Sequence, residues 1–102
     1  SGALNHIPVC RVEHAAKTIE YLKNSGLQIF CATEHGDKLY FQADYKNPLV
    51  LIMGAEDKGI SPKLLQLADN KIKIPVLGNI GSLNVSVASG VIMYEVLKQR
   101  AS

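Results

Sequence analysis

The stretch Ile74-Pro-Val-Leu-Gly-Asn-Ile-Gly-Ser-Leu-Asn-Val-Ser-Val-Ala-Ser89, with the apolar run that follows it, decides the fold. Residues 71–74 predict a short strand that Pro75 ends, because proline has no amide N–H for a continuing ladder. Gly78 and Gly81 then permit backbone conformations that other residues resist. The pattern therefore predicts a strand, a glycine-hinged loop and a helix in direct succession.

Three polar residues, Ser82, Asn84 and Ser86, lie where this loop becomes the helix. Serine and asparagine are common helix N-caps, because their side-chain oxygens accept hydrogen bonds from the free N–H groups of the first turn. At least one of the three is expected to cap the helix. A cluster of polar side chains at a helix start is also a suitable place to hold a polar ligand.

The rest of the chain alternates between strand-like and helix-like segments. Predicted strands span residues 7–12, 27–33, 49–53 and 71–74, with a brief extended piece at 39–41, and predicted helices span 13–24, 61–68 and 85–100. Gly26 is the expected C-cap of the first helix, and Ser61-Pro62 is a common helix opening. Strands that alternate with helices on short connections predict a parallel α/β sheet. Ligands in such sheets bind beyond the carboxyl ends of the strands, where both glycine-bearing loops fall.

The last predicted helix carries a wide apolar arc. Its apolar residues are Val85, Ala88, Ile92 and Val96 on one side and Val87, Val91 and Tyr94 on a neighbouring side. Such an arc predicts burial over most of the girth of the helix, in part against a second subunit. Gly90 costs about 1 kcal/mol relative to alanine in mid-helix, so we expect another backbone to approach closely there.

Composition restricts the class of protein without naming a function. The chain of 102 residues is 47% apolar, and its net charge of +2 is too small to indicate a nucleic-acid binder by itself. Cys10 and Cys31 are expected to be reduced and buried, with a disulfide between them as the alternative. The three histidines have no spacing typical of metal ligands, and no apolar run has the length of a membrane span.

The segment from Gly54 to Ser61 is similar to a phosphate-binding P-loop but lacks its essential residue. Gly54, Gly59 and Ser61 fit the spacing, whereas Ile60 occupies the position that requires lysine. Glu56 and its acidic neighbour would also repel a phosphate. From the residues alone, a ligand site and a simple strand-to-helix turn that needs glycine for its bend are equally supported.

Two motifs together resemble a known family. The run from Ser82 to Ala88 with Tyr94-Glu95 resembles the last signature motif of the SpoU/TrmH-like RNA methyltransferases, of the SPOUT class. The run Leu51 to Ser61 resembles the motif that precedes it, at the expected distance. The resemblance covers essentially all 102 residues and is greatest to the members that methylate guanosine of large-subunit ribosomal RNA.

The resemblance implies a fold and a boundary. The implied fold is a parallel sheet with flanking helices and a C-terminal trefoil knot, which composition and periodicity would not have predicted. The family's first motif, which supplies a catalytic arginine, has no counterpart, and Arg11 and Arg100 lie in the wrong contexts. We therefore expect residues 1–102 to be the C-terminal portion of a single methyltransferase domain without its N-terminal strands, inactive by itself.

The resemblance also implies a cofactor and a site. The implied reaction transfers a methyl group from S-adenosylmethionine to a ribose 2′-hydroxyl of RNA, without a metal ion. The catalytic residues that it implies are Asn84, Ser82 and Glu56, and the cofactor-binding residues are Gly54, Ile74, Leu83, Met53, Gly78 and Ile80. For Ile74 and Leu83, simple core packing is the alternative role.

The implied partners are RNA, ribosomal rather than transfer RNA, and a second copy bound through the C-terminal helix. The implied location is cytoplasmic, with no membrane association. The alternative function is a non-catalytic dimerisation or RNA-binding module of the same fold. A nucleotide-binding regulatory domain is disfavoured, because the P-loop lysine and a dinucleotide-binding glycine fingerprint are both missing.

Overall fold

The structure, a computed structural model, describes residues 9–11, 16–54, 59–75 and 84–101, with only the backbone of 9–11. Within these ranges the strands are β1 (Val9–Arg11), β2 (Gln28–Ala32), β3 (Lys38–Leu39), β4 (Leu49–Met53) and β5 (Asn70–Lys73). The helices are α1 (Ala16–Asn24), α2 (Pro62–Leu67) and α3 (Val85–Ala101), with a short 3-10 helix at Tyr40–Gln42. All strand pairs are parallel, in the order β1-β4-β2-β5-β3. The predicted α/β class is confirmed.

Helices cover both faces of the sheet. Alternate residues of a strand point to opposite faces, so Leu51 and Met53 of β4 face one side, and Val50 and Ile52 face the other. The first side forms a cluster with α3, which we call the α3 core: Phe30, Ala43, Tyr45, Leu49, Leu51, Met53, Ile72, Ile92 and Val96. The second side packs on α1 and α2 through Ile19, Ile29, Cys31, Ile60 and Leu64. Strands buried on both faces are accordingly almost continuously apolar.

Two helix termini form as the sequence predicts. After α1, Gly26 adopts φ +100°, and the N–H of Leu27 donates to the carbonyl of Leu22 at 3.2 Å. This is a Schellman C-cap, which favours glycine at the left-handed position. At α2, the Ser61 hydroxyl accepts from the N–H of Leu64 at 3.3 Å, with proline next in the chain.

The last turn of α3 holds the segment that follows the 3-10 helix; we call this contact the C-terminal clamp. The Gln99 side chain accepts from the Tyr45 N–H at 2.8 Å and donates to the Ala43 carbonyl at 2.9 Å. Arg100 donates to the carbonyls of Tyr45 and Asn47, both at 2.9 Å. These bonds satisfy the backbone of an irregular segment that packs against the sheet.

One predicted feature of the chain is wrong, and a second is met only in part within a single chain. Residues 39–41 were expected to be extended, but strand β3 ends at Leu39 and Tyr40 begins a 3-10 helix. The Gln42 side chain accepts from the Leu39 N–H at 2.9 Å, which closes the turn and outweighs the β-propensity of the aromatic residues. Within this chain α3 leaves Val87 and Tyr94 exposed, so burial of its whole apolar arc would need the predicted second subunit and stays a prediction.

Smaller differences concern boundaries and Gly90. Strand β5 begins and ends one residue earlier than predicted. Residues 12–15, which hold the predicted end of the first strand and the predicted start of the first helix, lie outside the described residues. A Cβ at Gly90 would meet no atom within 4 Å, so no backbone of the described chain approaches it. Any close approach at Gly90 would have to come from elsewhere.

The backbone register excludes a disulfide between the two cysteines. Cys10 of β1 and Cys31 of β2 are both paired with Ile52 of β4, which lies between them. Two strand spacings amount to about 9.5 Å, and disulfides require Cα atoms within about 7 Å. Cys31 is a buried free thiol, as expected.

Candidate functional site

The candidate site lies at the carboxyl edge of the sheet. Register places Met53 beside Ala32, and Ala32 beside Ile72, so β4, β2 and β5 end at nearly the same level. Gly54 and Ile74 therefore follow strands that flank the end of β2. The two segments are separated by about two strand spacings, or roughly 10 Å.

Three elements that carry predicted site residues meet on the α3 core. Met53 is buried in this cluster, and Ile74 and Val85 pack against it as partly buried side chains. The end of β4, the residue that follows β5 and the first turn of α3 thus all contact the same hydrophobic cluster. The packing brings Asn84, directly before Val85, to the same side of the sheet as Met53 and Ile74.

Asn84 is the N-cap of α3. Its side-chain oxygen accepts from the Ser86 N–H at 2.8 Å, and its carbonyl accepts from the Ala88 N–H at 2.9 Å. The expectation that one polar residue of the motif caps the helix is confirmed. Because the cap uses the oxygen, the exposed side-chain NH2 is the group able to donate to a ligand.

Gly54 is packed tightly against its own loop. A Cβ there would lie 3.0 Å from the Gly59 carbonyl carbon and 3.2 Å from a side-chain carbon of Ile60. Gly59 itself adopts φ +67°, a left-handed conformation that favours glycine. The turn interpretation of this motif therefore has direct structural support, and a ligand role for Gly54 remains a prediction.

Gly36 is a positioning residue that the sequence did not reveal. A Cβ at Gly36 would lie 2.5 Å from the carbonyl carbon of Ile72 and 2.9 Å from the nitrogen of Lys73. In the same turn, the Thr33 N–H donates to the Ile72 carbonyl at 2.9 Å. The turn after β2 thus fixes the end of β5 just before Ile74. The sequence gives no sign of this role, because the neighbour that demands glycine is far away in the chain.

The other predicted site residues lie outside the described residues. They are Glu56, Gly78, Ile80, Ser82 and Leu83. In the described part of the chain, no three His, Cys, Asp or Glu side chains could together hold a metal ion. No helix of that part has the length and apolar character needed to cross a membrane.

The two shifted pKa values belong to buried groups behind the site. Burial raises the pKa of the Cys31 thiol to about 11, partly opposed by the charge of Lys71. Burial also raises the pKa of Tyr45, with further contributions from Glu95 and Tyr40. Both groups are therefore neutral at physiological pH, and neither is a candidate nucleophile or base.

Comparison with known proteins gives the family. The sequence profile described as the SpoU rRNA Methylase family matches residues 1–94. A Pseudomonas aeruginosa protein named 23S rRNA (guanosine-2′-O-)-methyltransferase RlmB is 41% identical over 99 residues, covering 97% of this chain and 40% of the relative. The Bacillus subtilis protein named putative TrmH family tRNA/rRNA methyltransferase YacO is 38% identical, with 98% and 40% covered.

Solved structures agree with the sequence relatives. The A. aeolicus TrmH/SpoU tRNA modifying enzyme has a TM-score of 0.77 at 39% identity, covering 88% of this chain and 46% of that one. The SpoU methyltransferase AviRb from Streptomyces viridochromogenes, crystallised with AdoMet, has a TM-score of 0.73 at 32% identity, covering 83% and 34%. The chain spans about 40% of the length of the curated relatives quoted. From the profile match and these similarities, the chain belongs to the SpoU rRNA methylase family.

Proposed function

We propose that this chain is the cofactor-binding, C-terminal part of an S-adenosylmethionine-dependent RNA ribose 2′-O-methyltransferase domain. The observation that carries the proposal is the shared support of Met53, Ile74 and Val85 at the carboxyl edge of a parallel sheet. Ligands of open parallel sheets bind at this edge. Family membership and the AdoMet complex of AviRb support the choice of ligand.

The residues present suit the adenosine portion of the cofactor, which is uncharged, unlike its sulfonium and amino-acid groups. Ile74 is half-buried next to the α3 core. The position directly after β4 is Gly54, so no side chain occupies the space there. A purine needs hydrogen-bond partners at its edge and apolar walls at its faces. Backbone groups near Gly54, Ile74, Gly78, Ile80 and Leu83 would supply the partners, with Met53 behind them.

When bound, S-adenosylmethionine supplies an already activated methyl group. The protein must then align the ribose hydroxyl with this group and help to remove its proton. We assign to the Asn84 NH2 the donation of a hydrogen bond in the cleft, with Ser82 beside it and Glu56 supporting the RNA side. Since no arginine of this chain matches the first motif, the proposed role of residues 1–102 alone is binding without turnover.

The proposed substrate is ribosomal RNA. The 23S rRNA guanosine methyltransferase RlmB is a relative over 97% of this chain. Transfer RNA is the second possibility, because the name of the A. aeolicus enzyme specifies tRNA. We also propose a C-terminal trefoil knot and a cytoplasmic location, both from family membership.

We further propose a homodimer through α3. Val87 and Tyr94 are 54% and 77% exposed, and Gly90 lies between them without a neighbour. Exposed apolar side chains along one helix face are typical of an interaction site. Sedimentation equilibrium tests this. We expect the mass of a dimer for the unmodified protein and that of a monomer for a Tyr94→Lys variant; a monomeric unmodified protein would contradict the dimer, and a dimeric variant would contradict the α3 interface.

Calorimetric titration with S-adenosylmethionine tests the cofactor assignment, and Asn84 offers a matched pair of variants. Asn84→Asp keeps the capping oxygen and removes the NH2 donor, whereas Asn84→Ala removes both. We expect the unmodified protein to bind S-adenosylmethionine saturably. The Asn84→Asp variant should be as stable as the unmodified protein. In a longer chain that includes the first motif, the same substitution should abolish methyl transfer to 23S rRNA. Absence of cofactor binding would favour the non-catalytic module instead.

A further inference from the structure

Phe41 is an exposed aromatic side chain at the same sheet edge as the candidate site. Its side chain is 49% exposed, although phenylalanine usually favours the interior. Strands β3 and β5 are parallel, with Leu39 beside Lys73. The residues that follow, including Phe41, therefore leave the sheet next to Ile74 and Pro75.

The Phe41 ring is held by its surroundings. It lies edge-to-face on the half-buried Tyr40 ring, with centroids 5.2 Å apart and an interplanar angle of 87°. Tyr40 packs against the α3 core, and its carbonyl accepts a hydrogen bond from the Tyr45 hydroxyl. The turn is closed by the Leu39–Gln42 bond described above. An aromatic ring fixed in this way loses little conformational entropy when a ligand stacks on it.

Lysine side chains lie on β3 and β5, the two strands whose carboxyl ends lie next to the segment that holds Phe41. Lys73 is exposed beside Leu39, and it forms no ion pair with any residue that the structure describes. Lys38 points to the face of the sheet opposite to that of Lys73, and it donates to the Asn70 side chain at 3.0 Å. Glu34 and Asp37 in the preceding turn offset these charges in part, so no strong field results. An exposed aromatic ring and an exposed lysine at the same edge of a sheet are features that suit single-stranded nucleic acid, by stacking and by contact with a phosphate.

We propose that Phe41 is a stacking platform for an unpaired base of the RNA substrate, with Lys73 contacting the adjacent phosphate. This inference rests on the proposed function, because it takes RNA as the substrate. It adds a substrate-positioning residue outside both motifs. Stacking does not depend on base identity, so Phe41 would hold the strand at the sheet edge without selecting the sequence.

Fluorescence polarisation with a short fluorescein-labelled single-stranded RNA tests the proposal. Phe41→Ala should weaken binding about 5- to 150-fold, the loss typical of one stacked base. Tyr21→Ala is the matched control, because Tyr21 is an exposed aromatic residue on α1, in the layer opposite α3. Lys73→Ala should weaken binding and lower the salt slope by about 0.7, as for one phosphate contact of a single strand.

A second variant provides a direct spectroscopic readout. The chain contains no tryptophan, so Phe41→Trp introduces a single fluorophore at the proposed platform. We expect retained affinity and quenching of its fluorescence on addition of RNA. RNA binding that is unaffected by Phe41→Ala, or tryptophan emission that RNA does not change, would overturn the proposal, as would a lack of RNA binding by the unmodified protein. Titration with S-adenosylmethionine separates the two hypotheses, since its binding tests the proposed function and does not require Phe41.

Discussion

Of the glycines that the structure describes, Gly36 has the closest backbone contact, and a single added methyl group there should have a large effect. In a Gly36→Ala variant, the new Cβ would lie 2.5 Å from the Ile72 carbonyl carbon and 2.7 Å from its oxygen. Ordinary contact begins at 3.4 Å, so the two backbones must separate by roughly 0.9 Å. Strand β5 yields poorly, because it is paired with β2 on one side and β3 on the other.

The expected cost has two parts. Overpacking of a close-packed region costs about 1–3 kcal/mol. Displacing Ile72 also strains its 2.9 Å hydrogen bond from the Thr33 N–H, worth about 1 kcal/mol. We therefore expect the free energy of unfolding to fall by about 2–4 kcal/mol, a large share of the ~5–15 kcal/mol typical of a domain. Because Ile74 follows directly, cofactor affinity should fall as well.

Urea unfolding followed by circular dichroism measures the effect, and Gly90→Ala is the control of opposite sign. A Cβ at Gly90 meets nothing within 4 Å, and alanine is favoured over glycine in mid-helix by about 1 kcal/mol. Both variants should be compared at low protein concentration, so that association through α3 does not contribute. A Gly36→Ala protein as stable as the unmodified one would refute the close approach of the turn to β5.

Three further predictions concern the clamp and the buried groups. Gln99→Ala should lower the free energy of unfolding by about 2–4 kcal/mol, because it leaves the Tyr45 N–H and the Ala43 carbonyl without partners. Urea titration measures this change, and a loss below about 0.5 kcal/mol would show that water replaces the Gln99 side chain. In a Cys10→Ser background, Cys31 should react with a thiol reagent only after unfolding, because the side chain is buried and its pKa is raised to about 11. Rapid reaction of Cys31 in the folded protein would contradict this. Because the raised pKa lets the unfolded chain lose the thiol proton first, the contribution of Cys31 to stability should be constant below pH 9 and fall between pH 9 and about 11, with Tyr45 acting in the same direction. Thermal melts from pH 9 to 11 test the sign, and a rise in stability would exclude it.

Local signals in the sequence predicted the layers of this fold well. Apolar runs such as 49–53 gave the buried strands, and the Gly26 and Ser61 caps gave the helix ends, because each depends on neighbouring residues alone. The extended piece at 39–41 was wrong, because β-propensity takes no account of the side-chain hydrogen bonds that close a turn. The Gln42 side chain and the Tyr45 hydroxyl, both further along the chain, decide that conformation.

The candidate site was predicted less completely, since its contacts join distant segments. Asn84 was identified as a cap from its place before an apolar run, and the family motif marked it as a site residue. Gly36 was not identified, because its neighbour Ile72 is distant in sequence. For α3, the apolar arc predicted burial over most of the helix, but periodicity does not distinguish a core from a surface for another chain.

The C-terminal clamp has a consequence for the order of folding. Its hydrogen bonds join Ala43, Tyr45 and Asn47 to Gln99 and Arg100, across separations of 53 to 56 residues. Contacts between such remote positions require closure of a large loop, which slows their formation. During translation, the 43–47 segment would leave the ribosome long before its partners and wait with unpaired amides and an unburied tyrosine. The 43–47 segment would then become ordered late, and its exposed apolar surface would be open to wrong contacts until α3 arrives.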